Sequence, residues 1–159
     1  MKINFNSIGI IHSPFKEKAG MPVQPAAAAG VKGEVLLQEK YIEGLADLDG
    51  FSHIYLIYYL HQSKGYQLKV IPFLDETERG LFATRAPRRP NPIGISVVRL
   101  LAVHKNRLEI ENVDILDGTP LLDIKPFVPA FDSFPADKTG WLDGKENKLK
   151  DKKSDRRFG

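Results

Sequence analysis

Three arginines, three prolines and a glycine crowd the segment from Phe82 to Ser96, which reads Phe-Ala-Thr-Arg-Ala-Pro-Arg-Arg-Pro-Asn-Pro-Ile-Gly-Ile-Ser. Pro87, Pro90 and Pro92 each fix a backbone angle and remove an amide donor, so a loop built on them has little entropy left to lose on binding. Arg85, Arg88 and Arg89 thus sit on a stiff frame suited to holding a ligand. Gly94 lets the backbone approach a neighbour closely or turn tightly before the β-branched run Ile95, Val97 and Val98 resumes a strand. The same composition also suits a rigid surface turn whose arginines face water.

A second segment narrows the choice. Asp114 to Phe127 reads Asp-Ile-Leu-Asp-Gly-Thr-Pro-Leu-Leu-Asp-Ile-Lys-Pro-Phe, in which Asp117-Gly118 marks a tight turn between two apolar, alternating stretches. Pro22-Val23-Gln24 lies near the start of the chain, and His61-Gln62 follows a long apolar run. Taken together, these motifs resemble the TsaA-like, or TrmO, family of tRNA methyltransferases over roughly Ile8 to Phe131. Two patterns carry the resemblance: Thr-Arg-x-x-x-Arg-Pro-Asn-Pro-Ile-Gly-x-Ser and Asp-Gly-Thr-Pro-x-x-Asp-Ile-Lys-Pro. Both are long and rigid in spacing.

The resemblance implies a homodimeric, single-sheeted β-barrel that binds S-adenosylmethionine near the subunit interface. It further implies methyl transfer to N6 of threonylcarbamoyladenosine beside a tRNA anticodon. Matched motif by motif, the expected cofactor contacts are Pro22, Val23 and Gln24, His61 and Gln62, Arg85, Ile95, and Asp117, Gly118, Thr119 and Pro120. Arg88 and Arg89 are expected to contact RNA. One position departs, because the family commonly has arginine where this chain has Val23. That departure, together with a short charged tail where relatives often carry a further C-terminal region, leaves the methyl acceptor open.

The physical roles can be argued beside the resemblance. Methyl transfer from a sulfonium is an in-line displacement, so the protein must chiefly hold nucleophile, methyl and sulfur collinear in a water-poor site. Arg85 can pair bidentately with a carboxylate, and Asp117 can accept from a hydroxyl or an amine. The acceptor nitrogen is weakly basic, so a group that removes its proton helps, and Asp117 and His61 are the catalytic candidates. Each also has a plain structural explanation. An aspartate before glycine satisfies its own turn, and a histidine after an apolar strand often caps it.

Other chemistries find little support. The chain of 159 residues contains no cysteine, which removes disulfides, thiolate metal sites and cysteine nucleophiles. His12, His53, His61 and His104 lack the close spacing that lets two imidazoles share a metal, so no metal is expected. There is no glycine-rich dinucleotide turn, no phosphate-binding loop and no Gly-x-Ser-x-Gly elbow. No apolar run approaches the ~20 residues that span a bilayer, and no secretory signal opens the chain, so a cytoplasmic protein is expected. The net charge of +3 is uneven. Residues 145–159 hold seven basic and three acidic side chains, leaving the remainder slightly acidic. Such a tail is expected to be solvated, or to act as a basic arm for RNA phosphates.

The elements that must position these residues are mostly strands. They are expected over 7–12, 33–37, 53–60, 66–73, 81–84, 95–104, 108–110, 113–116 and 121–125, with a short helix over 41–47 and a long loop over 16–30. The near-continuous apolar run His53 to Leu60 suggests a strand buried on both faces, with Tyr55, Tyr58 and Tyr59 in the core. Many short strands with little helix point to a mainly β protein, a closed or nearly closed barrel that leaves no exposed edge. Residues 1–137 are expected to form that barrel domain and 138–159 a charged, disordered tail. A barrel that merely holds RNA, and a methyltransferase for a different small-molecule or nucleic-acid acceptor, are the alternatives.

Overall fold

Alternation of apolar and polar residues, with β-branched and aromatic side chains on the apolar register, builds the longer of the eight strands found among the described residues. The eight are β1 (Gly9–His12), β2 (Lys32–Leu37), β3 (His53–Tyr59), β4 (Lys69–Val70), β5 (Arg79–Gly80), β6 (Ile93–His104), β7 (Arg107–Glu111) and β8 (Thr119–Pro126). The computed structural model describes residues 1–23, 25–145 and 153. Six of the strands close into an antiparallel barrel in the order β1-β2-β7-β6-β3-β8, and β4 and β5 form a separate two-stranded ribbon. Closure comes from β8, which pairs β1 on one side (Gly9 with Leu121) and β3 on the other (Ile54 with Pro126).

The barrel interior is filled by one side of each strand. Ile11, Val35, Leu37, Ile54, Leu56, Val98, Leu108, Ile110 and Leu121 meet there, with Val113 and Ile115 closing the packing. β3 is not buried on both faces as its composition suggests. Ile54, Leu56 and Tyr58 point inward, whereas His53, Tyr55 and Ile57 are half-buried and Tyr59 is exposed. A closed barrel gives each strand an inner and an outer side, and here the outer side is covered only in part, by Phe127 set edge-on against Tyr55 at 5.5 Å.

Four stretches depart from the expected strands and helix. Val113 to Leu116 forms no strand. Asn112 adopts the left-handed region (φ 66°), which ends β7, and the next residues leave the ladder. Side-chain hydroxyls then satisfy the freed carbonyls: Ser13 Oγ donates to Ile115 O at 2.6 Å and Thr119 Oγ1 to Leu116 O at 2.6 Å. The segment therefore delivers buried Ile115 and Leu116 without strand pairing. Leu81–Ala83 is a single 3-10 turn, and the 66–73 stretch contributes only Lys69 and Val70 to pairing. Glu39–Leu45 is 3-10 and not α, with Leu45 as its buried residue and no side-chain cap.

Regular structure continues past Phe131. A one-turn helix, α1 (Pro129–Asp132), is followed by a 3-10 turn at Gly140–Leu142. Trp141 donates through Nε1 to Ala83 O at 2.7 Å, and Lys145 lies 3.4 Å from the Asp75 carboxylate, which tie this stretch to the 75–83 region. Residues 146–152 and 154–159 of the expected tail lie outside the described residues.

Candidate active site

A cavity of about 360 Å³ opens where five segments meet beside Phe73. They are the 18–23 loop, the end of β3 with residues 60–63, the arginine loop around 84–89, the start of β6, and the irregular stretch 114–119. Local hydrogen bonds hold these segments together. Lys18 Nζ donates to Gln62 O at 2.9 Å, joining the first loop to the end of β3. Ser63 Oγ donates to Pro87 O at 2.8 Å, joining that end to the arginine loop.

Most of the residues expected from sequence meet here. Pro22, Val23, His61, Gln62, Arg85, Ile95 and Thr119 all line the cavity. Gln24 lies outside the described residues. Asp117, Gly118 and Pro120 are not among the lining residues, although their neighbour Thr119 is. The Asp117 carboxylate is occupied elsewhere. It accepts from the Ser13 backbone N–H at 3.1 Å, lies 3.2 Å from His12 Nδ1 and pairs with Lys16 Nζ. The Lys16 hydrogen bond is the largest cause holding its carboxyl down at about 2. This is the bracing of a turn, with Gly118 in the left-handed region (φ 74°) completing it, and the carboxylate is not part of the cavity lining.

The arginines divide by role. Arg85 is exposed, lines the cavity and forms no ion pair among the described residues. Arg89 also lines the cavity but turns its guanidinium onto its own loop, reaching Thr84 O at 3.0 Å and Leu81 O and Ala86 O at 3.4 Å each. All three contacts come from Nη1, so this end of the guanidinium braces the loop. Arg88 is half-buried and is not a lining residue.

The wall also holds a strongly perturbed acid that neither motif announces. Asp114 lines the cavity, and Oδ1 accepts a 2.7 Å hydrogen bond from Ser96 Oγ. Ser96 Oγ lies in turn 2.9 Å from the Tyr58 hydroxyl. Because the single Ser96 proton goes to the carboxylate, Tyr58 is the donor to Ser96, and the chain runs Tyr58 to Ser96 to Asp114. Burial pushes the Asp114 carboxyl up to about 6, against the Ser96 hydrogen bond and the nearby charge of Arg85, which both favour the ionised form. Burial, and then the Asp114 charge, drive the Tyr58 hydroxyl well above its ordinary value, so it remains protonated. A lone aspartate inside Val113-Asp114-Ile115-Leu116 was the signal available, since an acid among apolar residues must be satisfied by the fold or used by it.

His61 stands on the same cavity with Nδ1 3.4 Å from Thr119 Oγ1. Burial, then the charge of Lys18, lowers its pKa, so it is neutral at physiological pH. Among the described residues no group of histidines and carboxylates is arranged to hold a metal. The cavity thus presents a cation at its rim, a carboxylate in its wall, a neutral imidazole and an apolar lining that includes Leu60, Ile93 and Ile115. That donor set suits a zwitterionic ligand with an apolar body, and the volume falls in the range of small-molecule sites.

Known proteins place this arrangement. Residues 10–133 match the model of the tRNA-methyltransferase O N-terminal domain. A Pyrococcus abyssi protein named "Probable S-adenosyl-L-methionine-binding protein" is 52% identical over 99% of this chain and 86% of its own length. The tRNA (adenine(37)-N6)-methyltransferase of Escherichia coli is 39% identical over 82% of this chain and 60% of its own. The crystal structure of TrmO from Pseudomonas aeruginosa superposes with a TM-score of 0.75 at 38% identity, over 89% of this chain and 63% of that one. This chain therefore spans about three fifths of those two bacterial proteins. The match over most of its length, in sequence and in barrel, makes this chain a member of the tRNA-methyltransferase O family.

Proposed function

We propose that this protein is an S-adenosylmethionine-dependent methyltransferase that modifies N6 of threonylcarbamoyladenosine at position 37 of tRNA, the position named for its bacterial relative. The observation that carries the reading is the convergence of Arg85, His61, Thr119 and Asp114 on one cavity in a barrel of that family. When bound, S-adenosylmethionine supplies an electrophilic methyl group on a positively charged sulfur. Arg85 is free to pair with its carboxylate, Asp114 offers a negative charge to its cationic part, and Thr119 and the 60–62 backbone offer polar contacts to the remainder. The apolar lining excludes water, which strengthens each of these charge interactions.

The active unit in this reading is a homodimer working in the cytoplasm. Ile93 and Ile95 line the cavity and are also exposed on the outer side of β6, beside exposed Tyr59 of the paired β3. A second copy seated on that apolar patch would wall the open side of the cavity. We read residues 1–137 as the barrel domain. A different acceptor is the second reading, and Val23 favours it, since an apolar residue lines the cavity where the family commonly has arginine.

Calorimetry with S-adenosylmethionine, followed by incubation with methyl-labelled cofactor and bulk tRNA, separates these readings. Heat of binding and label in the tRNA fraction are expected. No heat of binding would leave a non-catalytic RNA-binding barrel, and label in small molecules alone would shift the acceptor.

A further inference from the structure

We propose that Asp114 takes the proton from the acceptor nitrogen as that nitrogen is methylated, with Ser96 as its positioning residue. The inference rests on the methyl-transfer reading above. The N6 nitrogen of a carbamoylated adenine bears one hydrogen, and its lone pair is delocalised into the ring and the carbonyl. It becomes nucleophilic only as that hydrogen leaves, so a base within reach of the cavity is needed.

The titratable groups lining the cavity are Lys18, Tyr58, His61, Arg85, Arg89 and Asp114. Lys18 is engaged with the Gln62 carbonyl, and neither arginine can accept a proton. Tyr58 stays protonated and donates into the Ser96 chain. His61 and Asp114 remain.

Charge balance decides between them. Before transfer the cavity would hold a sulfonium cation and the Asp114 anion. In the step, the N6–methyl bond forms from the nitrogen pair while the methyl–sulfur bond breaks and leaves its electron pair on sulfur. The N6 proton passes to a carboxylate oxygen of Asp114, and the products are a neutral thioether, a neutral carboxylic acid and the methylated base. Neither the sulfur nor the carboxyl that took part in the step is left charged in the water-poor site. With His61 as acceptor, an imidazolium and the Asp114 carboxylate would both remain, at a desolvation cost that the first route avoids.

The environment of Asp114 reinforces this timing. Loss of the cation removes an interaction that favours the ionised carboxylate, so Asp114 becomes a stronger base as the nitrogen becomes a stronger acid. The Ser96 hydroxyl keeps Oδ1 fixed, and Tyr58 fixes Ser96. Tyr58 in turn sits directly over Gly94, where an added Cβ would lie 2.2 Å from its ring. The carboxylate is thereby locked to the barrel wall by residues of β3 and β6 and not by a loop.

The test begins with the wild-type chain on tRNA. If it transfers no methyl group to tRNA, the functional reading fails and this proposal fails with it. Given a working enzyme, Asp114→Asn keeps the shape and removes the base, and turnover should fall about 100-fold or more. Cofactor affinity measured by calorimetry should also fall, because the carboxylate faces the cationic part of the cofactor, but turnover at saturating cofactor should still show the full loss. Carboxyl NMR titration of the ligand-free protein should show Asp114 protonating near pH 6, and the acid limb of the pH profile for kcat/KM should track it. Ser96→Ala should move both the NMR transition and that limb to higher pH, because the lost hydrogen bond favoured the ionised form. It also carries the test should Asp114→Asn fail to fold. His61→Gln should leave the limb in place. Turnover of Asp114→Asn within about threefold of wild type, well short of the loss expected for a missing base, would overturn the proposal. So would an acid limb that moves with His61→Gln and ignores Ser96→Ala.

Discussion

Gly94 lies directly beneath the ring of Tyr58: a Cβ built on the glycine would stand 2.2 Å from Cε2 and 2.5 Å from Cζ. The two residues face each other across the β3–β6 pair, in register at Tyr58 with Gly94. The register between β3 and β8 shifts immediately before Tyr58, so the ring occupies a locally irregular part of the wall. Gly94→Ala should push the ring outward, breaking the Tyr58–Ser96 hydrogen bond. A loss of about 1–3 kcal/mol in stability is expected for overpacking of this kind. Thermal unfolding and calorimetry with S-adenosylmethionine should report lower stability and weaker binding together.

Arg85 and Arg89 should behave as opposites. Arg85 is exposed and pairs with no acid among the described residues, so Arg85→Ala should leave stability within about 0.5 kcal/mol of wild type. Cofactor affinity should fall by about 2 kcal/mol, the scale of a lost charge-assisted pair. Arg89→Ala removes the donor shared by three loop carbonyls, and there the loss should appear first in thermal stability.

Asp117 should prove to be a brace. Its carboxyl is held at about 2 in the folded chain, below its ordinary value, so it contributes stability above that ordinary value that is lost as the pH falls towards 2. Asp117→Asn should cost about 1 kcal/mol at neutral pH, a modest figure because the Lys16 partner is largely solvent-exposed. Turnover per folded molecule should stay within a few-fold of wild type. A collapse of turnover with stability intact would return Asp117 to the catalytic group.

Asp114 should carry the reverse sign. Its carboxyl titrates near 6 in the folded chain, above its ordinary value, so its contribution to stability is fully present below that ordinary value and is lost as the pH rises through 6. Asp114→Asn should therefore raise the melting temperature at pH 7 to 8 while leaving it little changed near pH 4. Differential scanning calorimetry at both pH values checks this. Stability given up for an ionised group in the cavity wall is the pattern of a functional site.

The barrel was legible because β3 and β6 announce themselves through long β-branched and aromatic runs, and closure follows from many short strands with little helix. The cavity was legible through its two motifs, which deliver Arg85 and Thr119. Two things were hidden. Val113 to Leu116 has strand composition, and only the left-handed turn at Asn112 and the hydroxyl partners Ser13 and Thr119 take it out of the ladder. The strand reading of that segment gives Asp114 no role and leaves Asp117 as the candidate acid. The direction of the Asp117 carboxylate depends on Lys16 and His12, a hundred residues away in sequence, which no local pattern encodes.

The most direct test of the central claim is mass spectrometry of nucleosides from tRNA incubated with the protein and labelled S-adenosylmethionine. Labelled methyl is expected on N6 of threonylcarbamoyladenosine, formed about 100-fold more slowly when Asp114→Asn replaces the wild type. Cofactor binding with no methyl on that nucleoside would contradict it.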